Sequence, residues 1–190
     1  NLNPPVTGFM SNPADILYHL YDAPTGGGYM CVQMRGNLTD LGNGDYPSYQ
    51  MRLNLKSGTR FYDMGFFSGV KFYFKMPNKK DTVLMNNFNL NLKQSIPVTD
   101  GGDCDNGHKG CYNNFAVPLD YTGDLGRAVW VEKSYAWSDF SRENWGNAMV
   151  PPTLSGQNLK ELVSLEWQSK RNNAAGVSKV EMYVDTVSFY

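Results

Sequence analysis

Several segments of this chain alternate apolar and polar residues with a period of two, and that pattern restricts it to sheets with one buried face. Between Tyr49 and Leu55, Met51, Leu53 and Leu55 fall on one side, with Gln50, Arg52 and Asn54 on the other. Val70, Phe72, Phe74 and Met76 oppose Lys71, Tyr73 and Lys75. Phe88, Leu90 and Leu92 alternate with Asn87, Asn89, Asn91 and Lys93, and Leu165 and Trp167 alternate with Glu166 and Gln168. Val180, Met182 and Val184 mark a last run, Val180 to Tyr190, and Gly28 to Arg35 reads as a further strand before the turn-rich stretch Gly36 to Pro47. Helix signals are confined to Gln157–Leu162 and Asn12–Tyr21. The connections are long and irregular, without two-residue Asn-Gly hairpins, which suits strands that cross between sheets. The expected fold is an all-β jelly-roll sandwich of two antiparallel sheets.

The 190 residues fit one domain, 1–190, with 1–13 a leader or linker. Seventeen basic side chains against 18 acidic ones leave a net charge of -1. Such a surface has no general electrostatic attraction for nucleic acid or anionic membrane; a neutral partner fits better, and neutral glycans are the obvious large class. No apolar run is long enough to span a bilayer as a helix. No signal peptide is visible, and a start at Asn1 reads as a mature or excised fragment. There is no P-loop and no GxGxxG after a strand, so Gly26 to Gly28 reads as a flexible turn. Cys104 and Cys111 lie close together in a Gly- and Asp-rich loop. In an oxidising compartment they pair, hold Tyr112, Asn113 and Asn114 in place, and leave Cys31 a buried thiol. The zinc alternative has only His108 nearby, with no CxxC and no HxxxH.

The polar strand faces carry amides, guanidinium and phenol groups. Amides and guanidinium groups suit vicinal hydroxyls, which offer a donor and acceptors together. Flat aromatic rings suit the C–H face of a pyranose. The candidate ligand contacts are Gln50, Arg52, Asn89, Asn91, Glu166 and Gln168, with Tyr73 and Tyr183 stacking from strands and Tyr112 and Trp145 from loops. A solvated outer face is the plain alternative for any one strand. Trp137 and Trp167 fall on apolar strand faces and are assigned to the core. Asp185 interrupts an apolar strand, where an uncompensated carboxylate is costly, and is the candidate ligand of a structural calcium ion. Catalytic patterns are thin. There is no ExDxxE and no GxSxG, and Glu166, with Glu181 second, is a lone carboxylate where glycoside hydrolysis needs a facing pair.

Four stretches carry a resemblance to a known family. They are FFSGVKFYFKM (Phe66 to Met76), GGDCDNGHKGCYNNF (Gly101 to Phe115), WSDFSRENWG (Trp137 to Gly146), and the closing strands LVSLEWQSK and VEMYVDTVSFY. Their order from about Gly65 to Tyr190 resembles carbohydrate-binding modules of the galactose-binding-domain-like type, as attached to bacterial cellulases and other plant-wall hydrolases. Glu143-Asn144 stands where the family pattern has a glycine before Trp-Gly. The resemblance implies a β-sandwich with a concave face or cleft for glycan chains and no catalytic residues. Its ligand would be a β-linked plant-wall glucan: cellulose, mixed-linkage glucan or xyloglucan. The implied setting is bacterial and extracellular, linked to a glycoside hydrolase or a surface protein. The alternatives are a jelly-roll polysaccharide hydrolase or lyase, and an adhesin module whose partner is protein.

Overall fold

The computed structural model describes residues 18–19, 31–39, 48–57, 60–76, 84–105, 110–119, 129–146, 150–171 and 177–190. In chain order the strands are β1 (Tyr18–His19), β2 (Cys31–Thr39), β3 (Ser48–Asn54), β4 (Lys56–Ser57), β5 (Arg60–Phe61) and β6 (Gly69–Lys75). They continue with β7 (Leu84–Leu92), β8 (Phe115–Pro118), β9 (Val131–Ala136), β10 (Ser141–Arg142), β11 (Leu162–Arg171) and β12 (Val177–Phe189). Two five-stranded sheets form, ordered β1-β2-β12-β6-β9 and β10-β8-β7-β11-β3, and β4 pairs with β5 in a small hairpin. All of these pairings are antiparallel. The chain passes between the two large sheets from β2 to β3, from β3 to β6 by way of the hairpin, and then from β6 to β7, β8 to β9, β9 to β10 and β11 to β12, as a jelly roll requires.

Alternation places the core. Trp167 lies between Met51 and Phe88 across three strands, and Leu165 lies between Leu53 and Leu90. From the facing sheet, Val70, Phe72, Phe74, Val180, Met182 and Val184 point inward, and all are buried. Phe72 joins the layers: its ring meets Phe88 at 4.8 Å and stands edge-on to Trp167 at 5.2 Å. Edge-to-face packing of this kind adds about 0.5–1.5 kcal/mol per pair beyond area burial.

The short helix α1 (Gly156–Lys160) confirms the helical signal before β11. Ser155 caps it: the Asn158 amide Oδ1 accepts from the Ser155 N–H at 2.9 Å, and the Ser155 hydroxyl accepts from the Asn158 N–H at 3.4 Å. At the other helical signal, Tyr18 and His19 are strand, and the rest of Asn12–Tyr21 lies outside the described residues, as do residues 1–13, Gly26 to Gly28 and His108. Trp137 is buried as expected but for another reason. It begins a single 3₁₀ turn (Trp137–Asp139), and its indole N–H donates to the Phe67 carbonyl at 2.7 Å. β8 and β9 carried no clear period: one is four residues long, and the other alternates Val131, Lys133 and Tyr135 with Glu132 and Ser134. The closing strand is fastened at its end, where the Tyr190 N–H donates to the Gly69 carbonyl at 3.2 Å.

Trp167→Ala removes the ring on which both layers pack, and is expected to cost about 3–5 kcal/mol through the cavity it leaves. Urea unfolding of the variant against the parent checks this. An unchanged midpoint would show that the core lies elsewhere.

Candidate functional site

The residues that alternate with the core on β3, β11 and β7 form polar rungs on the outer face of their sheet. Arg52, Glu166 and Asn89 make one rung, Gln50, Gln168 and Asn87 the next, and Asn54, Ser164 and Asn91 a third. Glu166 sits at the centre and is only 1% exposed. A carboxylate so placed needs compensating donors. Asn89 Nδ2 donates to Glu166 Oε1 at 2.9 Å, while Asn91 Nδ2 and Arg52 Nε donate to Oε2 at 3.1 and 2.5 Å. Asn91 also reaches the Ser164 hydroxyl at 2.9 Å. The side-chain amide oxygens of Asn89 and Asn91 are buried without a hydrogen-bond partner.

Two loops raise walls over this floor. The first follows β7 and is closed by the Cys104–Cys111 disulfide, with Cα atoms 5.9 Å apart. The expected pairing is therefore present, and Cys31 is buried outside it. Burial, and then the charge of Asp185, push the Cys31 thiol up. Tyr112 follows the disulfide in the left-handed region, φ 67°, and its N–H donates to the Ser95 carbonyl at 2.6 Å. The Ser95 hydroxyl holds Asn114 Oδ1 at 2.7 Å. The second wall follows β10. Its Glu143 N–H donates to the Asn114 carbonyl at 2.9 Å, and its Asn144 N–H donates to Asn113 Oδ1 at 3.1 Å. The walls interlock at Gly146, φ 77°, where a Cβ would lie 2.3 Å from the Cys111 carbonyl oxygen. That contact admits only glycine, and the neighbouring Trp145 is 48% exposed.

Floor and walls enclose a groove of about 810 Å³, and its lining includes Gln50, Arg52, Tyr112, Trp145, Glu166 and Gln168. The structure thus brings together those expected contacts. It does not place Asn89 and Asn91 in the lining; both lie beneath it, buried, with their amides given to Glu166. Tyr73 and Tyr183, also named as candidate contacts, are on the outer face of the other sheet and so lie apart from this groove. Tyr183 accepts from Gln33 Nε2 at 2.6 Å and donates to Glu181 at 2.7 Å, and Lys75 Nζ lies 5.3 Å from its ring centroid. Burial and Glu181 push the Tyr183 phenol up. Glu132 pushes the half-buried Tyr73 phenol up.

The lining also includes Ser48, Met85, Asp100, Asn114, Glu143 and Lys170. Ser48 and Lys170 continue the alternation of β3 and β11 one rung past Gln50 and Gln168, a signal readable in the sequence. Asp100 and Glu143 come from loops with no period to reveal them. Each carboxylate in the groove meets a cation. Arg52 Nη1 lies 3.6 Å from Asp100 Oδ2, and Lys170 Nζ lies 3.1 Å from Glu143 Oε1. Burial disfavours the Arg52 charge, but Glu166 and Asp100 outweigh it, and the guanidinium is raised above its ordinary value. The Tyr112 hydroxyl donates to Asp100 Oδ2 at 3.3 Å.

Asp185 lies apart from the groove, at a bulge in β12 against β6. One of its oxygens accepts from the Thr186 N–H at 2.6 Å, and the other is buried without a hydrogen-bond partner. An orphaned carboxylate oxygen fits one ligand of a hard cation. Among the described residues, no group of three or more His, Cys, Asp or Glu side chains is placed to hold a metal.

No protein-family profile matches the chain, and no curated protein matches it in sequence. Solved structures do. The family 11 carbohydrate-binding module of a cellulosomal cellulase of Clostridium thermocellum aligns over 100% of this chain and 83% of its own, with a TM-score of 0.52 and 13% identity. A family 11 module from the same organism, in complex with a β-1,3-1,4-mixed-linked tetrasaccharide, aligns over 100% of this chain and 89% of its own, with a TM-score of 0.53 and 13% identity. The resemblance first carried by the loop and strand motifs therefore extends to the fold, which is the β-sandwich of carbohydrate-binding modules.

Proposed function

We propose that the groove binds a segment of a neutral, β-linked glucan chain and does not cut it. The observation that carries this reading is a groove with Tyr112 and Trp145 on its walls and Gln50, Arg52 and Gln168 on its floor. Rings on the walls can stack on pyranose C–H faces, and amides and guanidinium nitrogens can pair with equatorial hydroxyls. The tetrasaccharide complex of a module with the same fold supports a mixed-linkage glucan as the first ligand to try, with cellulose and xyloglucan next. The lining holds Arg52 and Lys170 against Asp100, Glu143 and Glu166, a balance that disfavours anionic glycans. Binding without cleavage is favoured because each of these carboxylates is paired with a cation. A glycosidase needs one carboxyl group set in surroundings that keep its proton. The role that follows is to hold an attached hydrolase or a cell-surface protein on its polysaccharide. The disulfide supports an extracellular setting.

Titration calorimetry with mixed-linkage β-glucan oligosaccharides tests the reading. Tyr112→Ala and Trp145→Ala are each expected to weaken binding by about 1–3 kcal/mol, the cost of losing an aromatic anchor. Tyr73→Ala is expected to leave affinity unchanged, because Tyr73 lies on the opposite sheet. A reducing-sugar assay is expected to show no release. Failure to bind any β-glucan, xylan or mannan, or release of sugar, would overturn the proposal.

The calcium assignment is a second, separate proposal: Asp185 contributes its orphaned oxygen to a structural calcium ion. Chelator is expected to lower the melting temperature and added calcium to restore it, with Asp185→Asn removing the response. A melt that ignores chelator refutes it.

A further inference from the structure

We infer that Glu166 is a positioning residue for the Tyr112 ring, acting through Arg52 and Asp100, so that the buried floor of the groove sets the direction of its aromatic wall. The inference rests on the glycan reading of the groove for its consequence in binding, but not for its geometry. Glu166 cannot shift easily. It lies in the middle of a sheet, 1% exposed, with both oxygens engaged by Asn89, Asn91 and Arg52. Those bonds fix the guanidinium plane. A planar guanidinium with several donors can serve more than one acceptor at once, which an ammonium does less specifically. Arg52 uses Nε for Glu166, Nη2 for Gln50 Oε1 at 3.0 Å, and Nη1 toward Asp100 Oδ2 at 3.6 Å.

The same Asp100 oxygen accepts the Tyr112 hydroxyl at 3.3 Å. The chain of contacts thus runs from β11 to β3, on to the turn at Asp100, and then to the residue just after the disulfide. The backbone of Tyr112 is held independently by Ser95 and by the disulfide, which fix the root of the side chain but not the angle of the ring. Its phenol contact with Asp100 supplies that angle. Consistent with this, the Tyr112 phenol is pushed up by burial and by Asp100, while Arg52 opposes the shift; the charge of Glu166 adds a smaller direct push in the same direction, which an Asp100→Asn background separates from the relayed effect.

Both Glu166 oxygens are already engaged and the side chain is 1% exposed, so its effect on binding would be mainly transmitted. Carbon NMR of protein labelled at tyrosine Cζ reads the Tyr112 titration with no glycan present. Glu166→Gln leaves Arg52 to neutralise Asp100 more fully, so the Tyr112 phenol is expected to titrate at lower pH. Affinity for a mixed-linkage oligosaccharide is expected to fall about five- to tenfold, a coupling of ordinary size for contacting groups. In an Asp100→Asn background, adding Glu166→Gln should change both readouts much less. Equal effects in the two backgrounds would overturn the inference, because the influence would then pass through space rather than through Asp100. If Glu166→Gln fails to fold, Arg52→Gln reads the same link from its other end and is expected to lose its effect in the Asp100→Asn background too. If the phenol titration follows the contacts while the parent protein binds no glucan, the positioning role stands and the glycan reading falls.

Discussion

A carboxylate buried at the centre of a sheet has to be compensated where it stands, because leaving it bare in a low-dielectric setting costs many times the stability of a single contact. Glu166 imposes that condition here, and its neighbour Trp167 imposes another on the opposite side of the same strand. The core must supply apolar surface to the ring, and the outer face must supply donors to the acid. Both demands are met from the same flanking strands: Met51 and Phe88 beside the ring, Arg52 and Asn89 beside the carboxylate. The polar rungs are thus partly spent on themselves. The residues that remain to meet a ligand lie at the margins of the network: Gln50 and Gln168 one rung along, and the side chains of the two loops.

This division explains why the sequence was legible in some places and not in others. Period-two alternation states which side of its own strand a residue takes, and every run with a clear alternation folded with its apolar side inward. Alternation does not state which sheet a strand will join. A sandwich has two outer faces, and Tyr73 and Gln168 look equally outward in the sequence although they lie on opposite ones. Nor does it state what will later cover an outward residue. Asn89 and Asn91 face away from the core and are nevertheless buried, with their amides given to a carboxylate that is itself buried.

The walls were legible only through their chemistry. A close cysteine pair in a glycine-rich loop announced a brace, and Tyr112 and Trp145 beside it announced rings near a cleft. Asp100 and Glu143 carried no such signal, since a loop carboxylate in isolation is ordinary surface. Likeness of fold at 13% identity to the carbohydrate-binding modules fits the same physics. A sandwich is specified by the side on which apolar residues fall, and many sequences satisfy that requirement.

The contact between Gly146 and the Cys111 carbonyl makes the two loops a single graftable unit. Neither loop contributes a ring to the inter-layer stack of Phe72, Phe88 and Trp167, so the recognition surface could be exchanged provided that the buried Ile96 of the first loop and Val150 of the second are kept. The exchange would have to carry both loops at once. A donor loop with any side chain at the Gly146 position would collide with the braced backbone opposite it, and one without the brace would leave the glycine fitted against nothing. For anyone recombining such modules, the natural cut points are therefore the ends of β7, β8 and β10, taken together.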